Sequence, residues 1–155
     1  MILTLIRHAK SSWSDLSLDD FDRPLNERGN RDAPKMAQWF SKNTQEKPIF
    51  FSSPANRALS TAKFFEKELT PNKFNVVDHL YHANLQDYES LILENNHEEH
   101  IVIFGHNPTI SQVAEEMLKT KYVDLKTCSI CQINLVEPDT LSGELNFIKS
   151  PKELT

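Results

Sequence analysis

One pattern occurs twice in this chain: an apolar strand, a capping residue, a proline and an amphipathic helix. The run Pro48 to Phe51 leads into Ser52-Ser53-Pro54, after which Ala58, Leu59, Ala62, Phe65 and Leu69 mark the buried face of a helix. His100 to Phe104 leads into Gly105-His106-Asn107-Pro108, and Ile110, Val113, Ala114 and Met117 follow at helical spacing. Ser53 and Asn107 are the expected N-caps, with Pro54 and Pro108 as first helical residues, the favoured types at those places. Strands alternating with helices of this length imply crossover connections and a largely parallel sheet. The expected fold class is α/β, a three-layer α/β/α sandwich.

The other segments fit that plan. Met1 to Ile6 reads as a buried strand that ends abruptly in Arg7-His8. Ala33, Met36, Ala37 and Phe40 form one helical stripe. Pro34 would cost about 3 kcal/mol deep inside such a helix. The helix is therefore expected either to begin near Asp32 or to carry Asn26 to Arg31 as a separate, kinked first turn. Phe74 to Val77 is a third strand, Leu80 to Ala83 a connection, and Tyr88, Leu91 and Ile92 belong to a third helix. Ile130 to Val136 and Leu145 to Ile148, joined by a turn around Pro138 to Gly143, are expected as an antiparallel pair at the sheet edge.

No internal repeat or linker divides the chain, so a single domain over residues 1–155 is expected, large enough to bury a core. With 17 basic and 22 acidic residues the net charge is −5, which argues against nucleic-acid or anionic-membrane partners. No basic segment precedes the apolar start, as a secretory signal requires. Cys128 and Cys131 are too few for a disulfide framework, and a reducing cytoplasm is the expected compartment.

In a parallel sheet the C-terminal strand ends share one edge, where ligands bind. Arg7 and His8 reach it from the first strand, Ser53 and Arg57 from the second, His106 and Asn107 from the fourth. Guanidinium forks match phosphate oxygens, helix N-termini attract anions, and a neutral imidazole is a competent nucleophile. Charge stabilisation of this kind serves phosphoryl transfer without a metal. The acidic stretch Ser11 to Asp22 fails as a calcium loop, because Asp20 stands where the turn glycine belongs and Asn26 where the closing glutamate belongs. It reads as a solvated loop beside the site.

These residues resemble the histidine phosphatase superfamily, which includes the phosphoglycerate mutases. The resemblance lies in Leu5-Ile6-Arg7-His8-Ala9-Lys10-Ser11, Arg23-Pro24-Leu25-Asn26-Glu27-Arg28-Gly29, Ser52-Ser53-Pro54-x-x-Arg57-Ala58-x-x-Thr61-Ala62 and Gly105-His106-Asn107. The short length and Leu80-Tyr81-His82-Ala83 are most similar to its small SixA-type phosphohistidine phosphatases. The resemblance implies a phosphoglycerate-mutase-like fold, no cofactor and no metal. It implies His8 as nucleophile, Arg7 and Arg57 as phosphoryl clamps and His106 as charge stabiliser, with Asn107 beside it in the substrate site. Ala9 departs from the usual glycine. Ser14 falls where larger members carry a phosphate-touching asparagine. Those members also have a carboxylic general acid before the third helix; here none falls in place, and His82 or Asp22 are the candidate substitutes.

A missing acid suits P–N cleavage better than P–O cleavage, because imidazole, with a conjugate-acid pKa of about 6.5, leaves readily once protonated. The expected substrate is a protein phosphohistidine. A phosphatase of small esters or sugar phosphates is the alternative, and a phosphoprotein-binding domain without turnover is the alternative outside enzymes. Cys128 and Cys131 lack further ligands for zinc and a helix start for redox work. His79 and His82 lack a third metal ligand, and His97 and His100 are expected to be solvated. Trp13, Trp39, Phe64 and Phe65 are expected in the core or the cleft wall.

Overall fold

The computed structural model describes residues 1–154. In chain order the elements are β1 (Ile2–Arg7), α1 (Glu27–Lys42), β2 (Ile49–Ser52), α2 (Asn56–Leu69), β3 (Lys73–Val76), α3 (Leu85–Glu94), β4 (His100–Gly105), α4 (Thr109–Leu118), β5 (Ile130–Glu137) and β6 (Ser142–Lys149). They form one sheet in the order β3-β2-β4-β1-β5-β6. The first four strands run parallel, β5 lies antiparallel on β1, and β6 closes the edge antiparallel to β5.

Alternation along the strands divides the core between two faces. Leu3, Leu5, Ile101 and Ile103 pack with Tyr88, Leu91 and Ile92 of α3 and Ile110, Val113 and Met117 of α4. Ile6, Phe50, Val102 and Phe104 pack with Met36 and Phe40 of α1 and Phe65 of α2 on the other face. The expected three-layer sandwich is therefore present. Among the described residues no helix is long and apolar enough to cross a membrane.

Three expectations need correction. Pro34 lies inside α1, which runs unbroken from an Asn26 cap whose side chain accepts from the Gly29 amide. Met36 and Phe40 on that helix are fully buried. Burial of about 1.5–3 kcal/mol for each side chain outweighs the proline cost of about 3 kcal/mol. Gly29 is required there, because a Cβ would strike the Lys10 carbonyl oxygen, to which the Asn26 amide donates at 2.9 Å.

The second correction concerns helix starts. The helix after β2 is capped by Ala55, and the one after β4 by Pro108, neither with a side-chain cap bond. Ser53 and Asn107 have other partners, described below.

His100 is the third. It is not solvated but 1% exposed, with Nε2 2.8 Å from Thr4 Oγ1. Burial pushes its imidazole from 6.5 down to about 4, against a small opposing pull from Glu46. Between those values the unfolded chain binds a proton that the native state refuses, so stability rises with pH across the window. Urea titrations between pH 4 and 6.5 should show a shallower slope of unfolding free energy against pH for His100→Gln than for wild type. An unchanged slope would show that this imidazole is not held neutral.

Candidate active site

The strand ends gather as the topology requires. The His8 amide donates to the Gly105 carbonyl at 3.1 Å, locking the residue after β1 onto the end of β4. The Cys128 amide reaches the carbonyls of Arg7 and His8 at 3.0 and 3.1 Å. The Ala9 amide donates to Thr61 Oγ1 at 2.9 Å, and that hydroxyl donates to the Arg57 carbonyl at 2.8 Å, tying α2 to the same turn. Ala9 is fully buried and is not among the residues with positive φ, so alanine occupies this position without backbone strain.

Two imidazoles face one another, with ring centroids 5.2 Å apart. His8 Nδ1 lies 2.7 Å from the Ala9 carbonyl and donates to it, which leaves Nε2 as the nitrogen with the free lone pair. Burial lowers His8 to about 3; the Ala9 carbonyl opposes this, while His106, Arg57 and Arg7 add to it. Burial and then Arg57 lower His106 to about 4. Both rings are neutral at pH 7. His106 Nε2 lies 2.8 Å from Ser53 Oγ, which also accepts the Ala55 amide at 3.2 Å. Its buried Nδ1 has no protein partner.

Three guanidinium groups surround these rings. Arg7 Nη1 donates to the Leu125 carbonyl at 2.9 Å, which also accepts from Asn107 Nδ2 at 2.9 Å. Asn107 Oδ1 accepts from Ser111 Oγ at 2.6 Å, so this side chain braces the site where it was expected to cap a helix. Arg57 donates to the Asp20 carbonyl at 2.7 Å and to Asp20 Oδ2 at 3.0 Å. Arg23 is the third: Nε and Nη2 donate to Asp20 Oδ1 at 3.2 and 3.0 Å, Nη1 donates to Ser11 Oγ at 2.9 Å, and its guanidinium carbon lies 3.5 Å from the Trp13 ring centroid. Asp20 Oδ2 accepts in addition from the Tyr81 hydroxyl at 2.8 Å. Partial burial pushes the Asp20 carboxyl up, but the bonds from Tyr81 and Arg57 outweigh it and hold it at about 2.

A cavity of about 220 Å³ is lined by Arg7, His8, Arg23, Arg57, His106 and Asn107, with Trp13 at its wall. Next to it, a larger one of about 430 Å³ shares Arg57, His106 and Asn107 and is walled by Tyr81, His82 and Tyr88. The structure thus brings together Arg7, His8, Arg57, His106 and Asn107. His82 lines the larger cavity alone, exposed and at a φ of 58°, with its ring 4.0 Å from that of Tyr81.

Two expected residues do not join them. Ser14 is exposed and bonded to Ser12 Oγ at 2.8 Å; it lines neither cavity, whereas Ser11 lines the smaller one. Asp22 is also exposed, and its carbonyl accepts from Asn56. A three-residue turn at Asp20–Asp22 sends Asp20 inward in its place. Arg23 and Asp20 are the site residues that the reading for chemistry missed, whereas Ser53 was placed at this edge but its bond to His106 was not foreseen. Arg23 lies in a motif block, and the three-residue spacing of Asp20 and Arg23 was the available signal for that pair.

No group of three or more His, Cys, Asp or Glu among the described residues is arranged to hold a metal. Cys128 and Cys131 are free, buried and belong to the cores on opposite faces of the sheet.

The chain is similar to known proteins in sequence and in fold. The chain aligns with an uncharacterized chloroplastic protein of Arabidopsis thaliana at 33% identity over 146 residues, 82% of this chain but 63% of that protein's length. The solved structure of the protein histidine phosphatase SixA complexed with tungstate superposes with a TM-score of 0.88 at 21% identity, covering 100% of both chains. A SixA structure from Agrobacterium tumefaciens gives 0.87 at 24% identity over 97% of each chain. A phosphoserine phosphatase from Entamoeba histolytica gives 0.71 at 18% over 99% of each. The fold is therefore phosphoglycerate-mutase-like, as expected. The sequence profile of the histidine phosphatase superfamily (branch 1) matches residues 3–92, and the chain belongs to that family.

Proposed function

We propose that this protein is a phosphatase that works through a phosphohistidine formed on His8, and that its substrate is a protein phosphohistidine. The observation that carries the reading is a neutral imidazole, fixed by the Ala9 carbonyl with Nε2 unprotonated, in a pocket with three guanidinium groups. Nε2 attacks phosphorus, the bond to the leaving nitrogen breaks, and the departing imidazole carries away a proton. Water then attacks the phosphorylated His8, releasing phosphate and restoring the free ring. Arg7, Arg57 and Arg23 hold the phosphoryl oxygens as charge develops. Ser53 Oγ pairs with His106 Nε2 and holds this ring at the wall of the same cavity, beside the His8 ring. The tungstate held by a SixA of the same fold is a tetrahedral oxyanion of the kind such a pocket takes.

The leaving group is argued from what the walls lack. Neither cavity is lined by a carboxylate, and Asp20, held at about 2, has no proton to give at neutral pH. A protonated imidazole leaves without help, while an alkoxide does not. Hydrolysis of a small phosphate ester is the second reading, favoured by the 430 Å³ cavity beside the phosphate pocket.

Incubation with a labelled phosphohistidine protein, quenched in alkali, should leave label on wild type and none on His8→Ala. Equal labelling of the two would refute the mechanism. Side-by-side rates should favour a phosphohistidine protein over a panel of small phosphate esters by about a hundredfold or more in kcat/KM, since expelling an unprotonated alkoxide costs several kcal/mol; a preferred ester would replace the substrate assignment. Side-chain nitrogen NMR should show His8 and His106 neutral and without titration from pH 8 to about 5, since their pKa values are held at about 3 and about 4. Protonation midpoints near 6.5 would remove the pre-formed nucleophile.

A further inference from the structure

The segment 11–22 contains four aspartates and no lysine, arginine or histidine. It also carries Trp13, Leu16, Leu18 and Phe21, which are 64%, 89%, 38% and 38% exposed. Large apolar side chains left in water on one short stretch mark an interaction site more often than a random surface does. This stretch is not loose. Asp20 pins it to Arg23, Arg57 and Tyr81, Phe21 packs edge-on against Tyr81 at 5.1 Å, Trp13 lies on Arg23, and Ser11 pairs with Leu25. The apolar groups are thus presented on a pre-organised rim, which lowers the entropy cost of binding.

Its position says what it would meet. Trp13 is part of the wall of the His8 cavity. That cavity, about 220 Å³, opens beside the one of about 430 Å³ with which it shares Arg57, His106 and Asn107, and the Trp13 wall continues outward into the exposed part of the segment. A protein whose phosphorylated side chain entered beside His8 would meet that rim with its surface. Asp15, Asp19 and Asp22 are exposed there, so the complementary surface is basic.

We infer that segment 11–22 is the docking surface for the protein body of the phosphoprotein substrate, and that this partner presents apolar and basic side chains around its phosphorylated histidine. The inference rests on the phosphohistidine reading above. Its apolar contacts fall on Leu16 and Leu18, which line neither cavity. Its charge recognition falls on Asp15 and Asp19.

The test uses a synthetic peptide with a central histidine flanked by lysine and leucine, phosphorylated with phosphoramidate, beside free phosphohistidine made with the same reagent. Leu16→Glu/Leu18→Glu should lower kcat/KM for the peptide about tenfold, the scale of losing an interface anchor. It should leave free phosphohistidine within about twofold of wild type. Asp15→Asn/Asp19→Asn should weaken the fall of the peptide's kcat/KM with added salt. Unchanged peptide turnover in the leucine variant, or equal losses on both substrates, overturns the docking surface and leaves the phosphohistidine reading standing. If wild type turns over neither phosphohistidine compound but does cleave an ester, the substrate reading itself has failed.

Discussion

The site depends on one strand pairing. β1 and β4 lie side by side, parallel and central, with Arg7 opposite Gly105. That register puts His8 and His106 on neighbouring strand ends and lets the His8 amide close on the Gly105 carbonyl. A slip of one residue would send Arg7 and every core side chain of β1 to the opposite face, so the hydrophobic pattern of Leu3, Leu5, Ile101 and Ile103 specifies the geometry of the candidate site along with the fold. β2, on the other flank of β4, then delivers Ser53 to His106 and Arg57 to the rim. Packing fixes the distances before any polar contact is made.

Charge at the site is set by burial as much as by residue type. Neutral rings at His8 and His106 contribute no cationic charge at pH 7, leaving three guanidinium groups and Lys10 on the cavity lining, with the Asp20 carboxylate paired to two of the guanidinium groups. The local field is therefore positive in a chain whose net charge is −5, which suits the phosphate dianion of the proposed reaction. Asp20 does not cancel this. Its side chain is 45% exposed, so water screens its pull on Arg57 and Arg23 and the ion pairs add little stability. What the carboxylate supplies is orientation: one group holds two forks and a tyrosine hydroxyl in fixed relation.

The strands, helices and the convergence of their ends were legible because periodicity and apolar runs report burial directly. Arg7, His8, Arg57 and His106 were legible because they follow those elements at short, fixed offsets. What the sequence did not disclose depends on side-chain direction. Ser53 was read as a cap, since serine before a proline and a helix usually caps, yet its hydroxyl turns to His106 and the helix begins later. Asp22 was preferred to Asp20 because nothing in a run of aspartates says which one a three-residue turn points inward. His100 was read as solvated because a polar residue at a strand start usually is, yet it is buried with Nε2 paired to Thr4 and Nδ1 without a protein partner. Pro34 was given too much weight because its local cost was compared with nothing, while the two large side chains buried around it were the competing term.

The segment after β1 shows why an acidic loop is a poor guide to its own role. Its composition reads as solvated, and most of it is exposed. Yet Asp20 and Trp13 on that loop touch the arginines of the phosphate pocket, while Leu16 and Leu18 on the same loop face water. Inward and outward groups share one short stretch of backbone, and one carboxylate ties it to the forks of Arg23 and Arg57. A loop that merely bordered the site would need none of these anchors. Anchoring makes the rim an extension of the cavity beside His8, and in the proposed reaction such an extension lets contacts made outside the cavity orient a phosphoryl group within it.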